Sequence, residues 1–475
     1  MNRSVAVLLI SGLLFSVYSF REEFEFSGDH NLHMSIPLIS DNQFSGNVKV
    51  PRLESDLTFT GRRGNYTLKT GLSIQTSLIE NSQLGEMTEI LPLENSLSLS
   101  GNRINTTLGF QYFAWGSADK INPTDKLNPR DYTTGPDADK IPVFAASLTY
   151  YPTDRLSIQG VYVPFRQPDR YPVDHRDEIP EALFLHDKNI TIEEPSFDPS
   201  SYTAGGRMRL MSGVFDIGLS YLYDIDEHFS PVVALNTDLV DGFQIFALDT
   251  LTLVKERIHR FGFDTRAVVG RFGFWGEAAY SLTGNTDNSS VALRNNHVDW
   301  TVGMDFFYGQ TEEHYINIQQ IGRVVVDYDD SFYEDYPTGE PGFFDYFNPD
   351  AMEQYYYRLL TNRLGYQTEG VLIGGAIRGE WSFVNSRVTP SVEALYLYPF
   401  MYETNGGKRY GDLLGTAQIE FVPTDAVSIR LGGQGFYSMI KNDDTGKIQN
   451  DSENRIGFYF PDSHIFLNVA FSWIR

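Results

Sequence analysis

The chain of 475 residues contains no cysteine. That removes disulfide scaffolds, thiolate metal sites and a lipid-modified N-terminal cysteine. Basic residues are scarce: 37 Lys and Arg stand against 62 Asp and Glu, a formal charge of −25. A protein that wraps nucleic-acid phosphates needs the opposite balance, so nucleic acid is excluded as a partner. Long apolar runs are also missing. Beyond the first twenty residues no stretch reaches the roughly 18 apolar residues of a membrane helix, and mean hydropathy is −0.28. Disorder is excluded by what is present: 34 Phe, 28 Tyr and 5 Trp, with only 21% charged residues. One membrane class survives, because it hides its hydrophobicity in alternation: the β-barrel.

The first nineteen residues, MNRSVAVLLISGLLFSVYS, set the compartment. Arg3 supplies a positive end, Val5 to Phe15 an apolar core, and Val17 and Ser19 the small or branched residues of a cleavage site. This predicts a secretory signal over 1–19 and a single barrel domain over 20–475. An exported chain without cysteine suits a bacterial envelope.

Period-two alternation carries the fold. Tyr66, Leu68, Leu72 and Ile74 alternate with Thr67, Lys69, Gly71, Ser73 and Gln75. Ile104, Leu108 and Phe110 alternate with Asn105, Thr107 and Gln111, and Val298, Trp300, Val302 and Met304 with His297, Asp299, Thr301 and Asp305. Strand side chains point alternately to opposite faces, so each segment has one apolar and one wet face. The wet faces carry charges and glycines, unsuited to a dry core, and the segments are long enough to cross a bilayer. Short connections (Arg62 to Gly64, Gly101 to Arg103, Pro152 to Asp154, Gly270) alternate with long ones at 166–201, 224–255 and 326–369. Outer-membrane barrels alternate short periplasmic turns with long external loops in this way. The expectation is an all-β antiparallel outer-membrane barrel of about eighteen strands, with sixteen as the alternative and a further hairpin possible within 224–255 or 350–369. At the C-terminus Ile465, Leu467, Val469, Phe471 and Trp473 form an apolar face. That terminal amphipathic strand resembles the insertion signal of outer-membrane barrels, which implies the barrel assembly machinery as a partner beside outer-membrane lipid and lipopolysaccharide.

The stretch FQYFAWGSADKINPTDKLNPRDY (110–132) is the most distinctive segment. Asn122-Pro123 and Asn128-Pro129 initiate turns, and Asp side chains cap backbone amides. It resembles the W-G-x-x-D … N-P-x-D-Y signature of an uncharacterised, porin-like family of Gram-negative outer-membrane proteins. The matching positions are Trp115, Gly116, Asp119, Asp125, Asn128, Pro129, Asp131 and Tyr132. The resemblance extends loosely over Arg260 to Tyr280 and implies a fold and a location, but no substrate. Three acids and three bases (Lys120, Lys126, Arg130) within this loop exceed what a solvated loop gains from paired charges. The loop is therefore expected to pack against the barrel. Its acids would cap amides or pair with inward arginines such as Arg207 or Arg209, and it would act either as a brace or as a constriction.

By parity the lumen receives Lys69, Arg207, Arg209, Arg260, Arg266, Arg378 and Arg430, against Asp216, Asp264, Glu277, Asp299, Asp305, Glu380 and Glu393. The near balance gives no ion preference. The stretch DYDDSFYEDYPTGEPGFFDYFNPD (327–350) reads as a solvated external loop rich in acids and aromatics. It has oxygen ligands for Ca²⁺ but not the spacing of an EF-hand, and no other cofactor is expected. The histidines show no H-x-x-x-H, and there is no G-x-S-x-G. Three readings remain in order: a channel for passive or substrate-preferring passage of small solutes, a structural or adhesive barrel with a filled lumen, and an enzyme.

Overall fold

The computed structural model describes residues 23–38, 52–77, 88–119, 121–131, 138–170, 189–193, 199–240, 242–287, 290, 292–328, 344–363, 370–400, 403–404, 407–441, 445–450 and 463–474. The signal segment, Tyr132 and most of the acidic stretch lie outside them.

The wall begins with β1 (Glu23–Pro37), β2 (Arg52–Arg63), β3 (Tyr66–Ser77), a bent β4 (Thr88–Pro92 and Asn95–Ser100), β5 (Ile104–Gln111) and β6 (Val143–Thr153). It continues with β7 (Leu156–Val163), β8 (Thr203–Met211), β9 (Phe215–Ile225), β10 (Arg257–Val269), β11 (Phe272–Leu282) and β12 (His297–Tyr308). The last third is β13 (His314–Val325), β14 (Val371–Trp381), β15 (Val388–Phe400), β16 (Gly407–Thr424), β17 (Val427–Lys441) and β18 (His464–Ile474). Each strand pairs antiparallel with its sequence neighbours, and β1 closes the sheet on β18 from Ser27↔Ile474 to Pro37↔His464. With the bent β4 counted once and the short pieces Glu403–Thr404 and Ile448–Asn450 left out, the barrel has eighteen strands. The sixteen-strand alternative falls away.

Closure explains the alternation. A sheet without edges has only an inner and an outer face, and lipid demands an apolar outer one. Leu97, Ile104, Leu108, Leu148, Ile158, Met208, Leu219, Val302, Ile377 and Leu431 are exposed on the outside. Aromatics gather near the short turns, among them Tyr66, Tyr150, Phe215, Phe272, Phe307, Phe383 and Phe421, as expected of an interfacial girdle. Gly270 shows why those turns are short: with φ of 63° it lets two residues join Val269 to its partner Phe272.

Two expectations change in detail, and β5 ends at Gln111, short of the signature tryptophan. Gly109 adopts φ of 128° against the β4 backbone, and Asn128 takes over the free backbone groups beyond it, accepting from Phe113 N–H at 2.7 Å and donating to Gln111 C=O at 3.0 Å. The 224–255 stretch does contain a hairpin, Ser230–Val240 with Phe243–Val254, but it forms its own sheet with Asn189–Ile192 and does not enlarge the barrel. The 350–369 stretch supplies a helix, α1 (Pro349–Arg363), which packs on that hairpin and buries Met352. Asn348 Oδ1 accepts from Asp350 N–H at 3.1 Å, and Pro349 opens the first turn, a start signal that outweighs the strand-like run of tyrosines.

Candidate functional site: a loop folded into the lumen

After Gln111 the chain leaves the wall and crosses the barrel. Phe113, Trp115 and Leu127 from the loop are buried against Val143 and Ala145 of β6, Val161 and Val163 of β7 and Leu222 of β9. The inward face of those strands is apolar only here, so water leaves where the loop lands, worth roughly 25 cal/mol per Å² of apolar surface covered. Trp115 is 2% exposed, and its indole N–H donates to Gln159 Oε1 at 2.9 Å. The signature residues hold the loop's own shape: Asp125 accepts from Trp115 N–H at 3.3 Å and pairs with Lys140 at 2.5 Å. Asn128 also donates to Ile141 C=O at 2.8 Å. Pro129 C=O accepts from Ile141 N–H at 2.8 Å. Asp131 pairs with Arg170 at 2.7 Å.

The tip is held from the far wall. Glu277 of β11 accepts from the N–H groups of Ser117 and Ala118 and from the Thr124 hydroxyl at 2.9 Å. Gly116 makes this grip possible: at φ of 96° it turns the chain, and a Cβ there would lie 2.4 Å from Glu277 Oε1. Asp264 of β10 accepts from Ser117 Oγ at 2.9 Å and from Arg207 at 2.8 Å, while Arg207 also donates to Ala114 C=O. Thr301 of β12 donates to Ile121 C=O at 2.9 Å. Asp119 comes within 3.8 Å of Arg378 on β14, nine strands round an eighteen-strand ring from β5. The loop therefore spans the lumen from one side to the other.

A buried ion network ties the loop's base to the outer ends of β7, β9, β10 and β12. Asp224 bridges Arg166 and Arg260 at 3.1 Å each, Arg166 donates to Leu127 C=O at 3.2 Å, and Lys126 pairs with Glu227 at 3.2 Å. Asp226 meets Arg294 at 3.1 Å. Burial alone would raise the Asp226 and Glu227 carboxyls, but the Arg294 charge and a hydrogen bond from His228 for the first, and Lys126 and Arg260 for the second, hold both well below the ordinary range. Burial pulls the Arg294 guanidinium down.

Of the sequence-derived lumen set, Arg207, Asp264, Glu277 and Arg378 converge on the loop. Arg209 does not: it pairs with Asp216 at 2.6 Å, nearer the periplasmic turn. The loop acids find Lys140, Arg170 and Arg378 instead of Arg207 or Arg209, because Asp264 and the Ala114 carbonyl already occupy Arg207. Glu380 accepts from Arg378 at 2.9 Å. Lys69 pairs with Glu94 and Arg430 with Glu420, each at 2.9 Å, away from the loop. Glu393 faces the lumen from β15, across from Arg378. Sequence reading missed Gln159, Asp224, Asp226 and Arg294. The acid pair in Tyr223-Asp224-Ile225-Asp226 at a strand's end was a visible signal, although its partners were not.

No family model matches the chain, and no curated protein resembles it in sequence. Solved structures match it in fold. OccAB4 of Acinetobacter baumannii superposes with a TM-score of 0.52 at 8% identity, over 95% of this chain and 98% of that one. This is the architecture of the Gram-negative outer-membrane barrels. OccK3 (OpdO) of Pseudomonas aeruginosa gives 0.52 at 8% over 97% and 99%, and the outer membrane protein opdK of the same organism gives 0.51 at 8% over 95% and 98%. At such identities the likeness is one of fold.

Proposed function

We propose that the chain is an outer-membrane channel through which small solutes diffuse past an inward-folded loop that narrows the pore without filling it. One observation carries this reading. Among the described residues, every hydrogen bond and ion pair from the loop tip (114–126) to the wall reaches β7 to β14 or their outer ends, and none reaches β15 to β18 or β1 to β3. A plug would bond all round; a constriction leans on one side. The signature residues Trp115, Gly116, Asp119, Asp125, Asn128, Pro129 and Asp131 shape that constriction, with Tyr132 continuing the motif, and Glu277, Asp264 and Arg378 fix its edge. The mature barrel begins at Phe20 and sits among outer-membrane lipid and lipopolysaccharide, placed there by the assembly machinery.

The second reading, a structural or adhesive surface barrel, draws on the external hairpin sheet with α1 and on the dense ion network. Refolded protein in a planar bilayer separates the two. The channel reading expects discrete conductance steps, and a barrel that inserts without conducting would overturn it.

A further inference from the structure

The lipid-facing side of the wall is not apolar to its outer rim. Along β10 burial alternates: Ile258 and Arg260 are buried toward the lumen, while Phe261 and Phe263 are exposed on the lipid side. Arg257 and His259 share the parity of those two phenylalanines and stand above them, at the end that the long 226–256 connection joins to β9. The Arg257 guanidinium lies 4.8 Å from the ring centre of Tyr202 and 4.9 Å from that of Tyr223, and it donates to the carbonyls of Tyr202 and Ser200. Tyr162 continues the belt, 6.0 Å from Tyr202. His259 packs 4.9 Å from Tyr223, and its Nδ1 shares a 2.8 Å hydrogen bond with the hydroxyl of the exposed Tyr221.

The tyrosines alone would be an interfacial girdle, as barrels carry at both membrane surfaces. The cation among them differs in two respects. A long side chain that merely reaches for water stays loose, whereas two carbonyls and two ring faces fix this guanidinium before any ligand arrives. Its charge also goes unanswered. The buried arginines Arg166, Arg260 and Arg294 each meet a carboxylate. Arg257 meets none among the described residues, in a chain with 62 acids to 37 bases. The two carbonyls take up two of the five N–H groups a guanidinium offers and leave its full positive charge at the membrane surface.

We propose that this cluster binds a phosphate group of lipopolysaccharide in the outer leaflet, with Arg257 as the charged contact and the acyl chains lying along Tyr221, Phe261 and Phe263 below it. A guanidinium with N–H groups to spare matches phosphate oxygens two at a time. With the Tyr221 hydroxyl donating to Nδ1, the proton of the His259 ring sits on Nε2, a second donor on the same side. A charge on the lipid side is tolerated only near an interface, which is where this one stands. The proposal rests on the outer-membrane placement and not on conductance, so its failure leaves the channel reading standing.

The test is native mass spectrometry of the full mature chain, folded in detergent and titrated with bisphosphorylated lipid A. Arg257→Gln should weaken binding about tenfold, through the loss of charge-assisted hydrogen bonds to phosphate. Arg63→Gln, which removes a lipid-side cation beside Tyr66 at the opposite, short-turn rim, should leave binding unchanged. Lipid A stripped of its phosphates should bind the native chain as weakly as the intact lipid binds Arg257→Gln, and inorganic phosphate should not bind. Should Arg257→Gln not yield a heat-modifiable folded barrel, His259→Phe carries the test, with about threefold weakening expected. Equal affinity for the native chain and the folded variant overturns the site. An equal loss in Arg63→Gln means charge attraction without a site and overturns it as well. Inorganic phosphate that binds as tightly as lipid A overturns the lipid as the ligand.

Discussion

Strands β7 to β14 and strands β15 to β3 follow the same alternating rule, yet their inner faces do different work. On the first set, inward charges are spent in pairs and in contacts to the loop, and several lie almost out of water: Asp264 is 2% exposed, Glu277 3% and Asp224 0%. On the second set inward side chains keep their contacts within the wall, as His33 does with Asn468 at 2.9 Å and Gln434 with Thr416 at 3.2 Å. One closed sheet is thus divided by a single loop into an anchoring half and a bare half. Counting lumen charges hides this, because the count is indifferent to which side of the loop a carboxylate stands.

The largest effect should come from erasing the division. Replacing 116–125 by a short Gly-Ser link is expected to raise single-channel current several-fold, since the loop is what separates the constriction from the full bore of an eighteen-strand barrel. An unchanged current would mean that the loop does not limit flow. Next comes the anchoring half itself. Asp224→Ala leaves Arg166 and Arg260 buried without their shared partner, and breaking a buried pair in this way costs about 3–5 kcal/mol. Thermal unfolding in detergent should register a large fall in midpoint, whereas Glu420→Ala, at an exposed pair with Arg430 on the bare half, should barely move it.

Smaller but more specific is Glu277→Gln. The neutral amide keeps one acceptor oxygen for the N–H groups of Ser117 and Ala118 but loses the charge and turns a donor toward Thr124, a loss on the order of 1–3 kcal/mol for hydrogen bonds to a charged group. The current should become noisier at nearly the same mean, with a modest fall in the unfolding midpoint. A steady current at the original level would show that Glu277 does not hold the tip. Smallest is Trp115→Phe, which removes the indole donor to Gln159 and keeps most of the packing. About 0.5–1.5 kcal/mol of stability should disappear with conductance unaltered.

Much of this barrel was legible from the chain. The period-two faces and the short turns put all eighteen wall strands in order, because in a closed membrane sheet each residue's side is dictated locally by lipid or water. The loop's density of Asn-Pro turns and paired charges likewise pointed inward. What it binds was not legible: Ser117 finds Asp264 147 positions along the chain, and no local pattern encodes a meeting between β5's loop and β10 to β14. α1 was readable in principle, since Asn348-Pro349 is a helix start, but the adjacent run Tyr355 to Tyr357 suits a strand equally well.

In an open channel of this design one half of the wall is reachable from the pore and the other is covered by the loop. With no native cysteine, two single replacements measure it: Gln418→Cys on β16 and Gln319→Cys on β13, the latter 4% exposed. A charged thiol reagent added to open channels should cut the current through Gln418→Cys within minutes and leave Gln319→Cys unaffected. Block at Gln319→Cys with none at Gln418→Cys, or equal block at both, would contradict the division on which the channel reading rests.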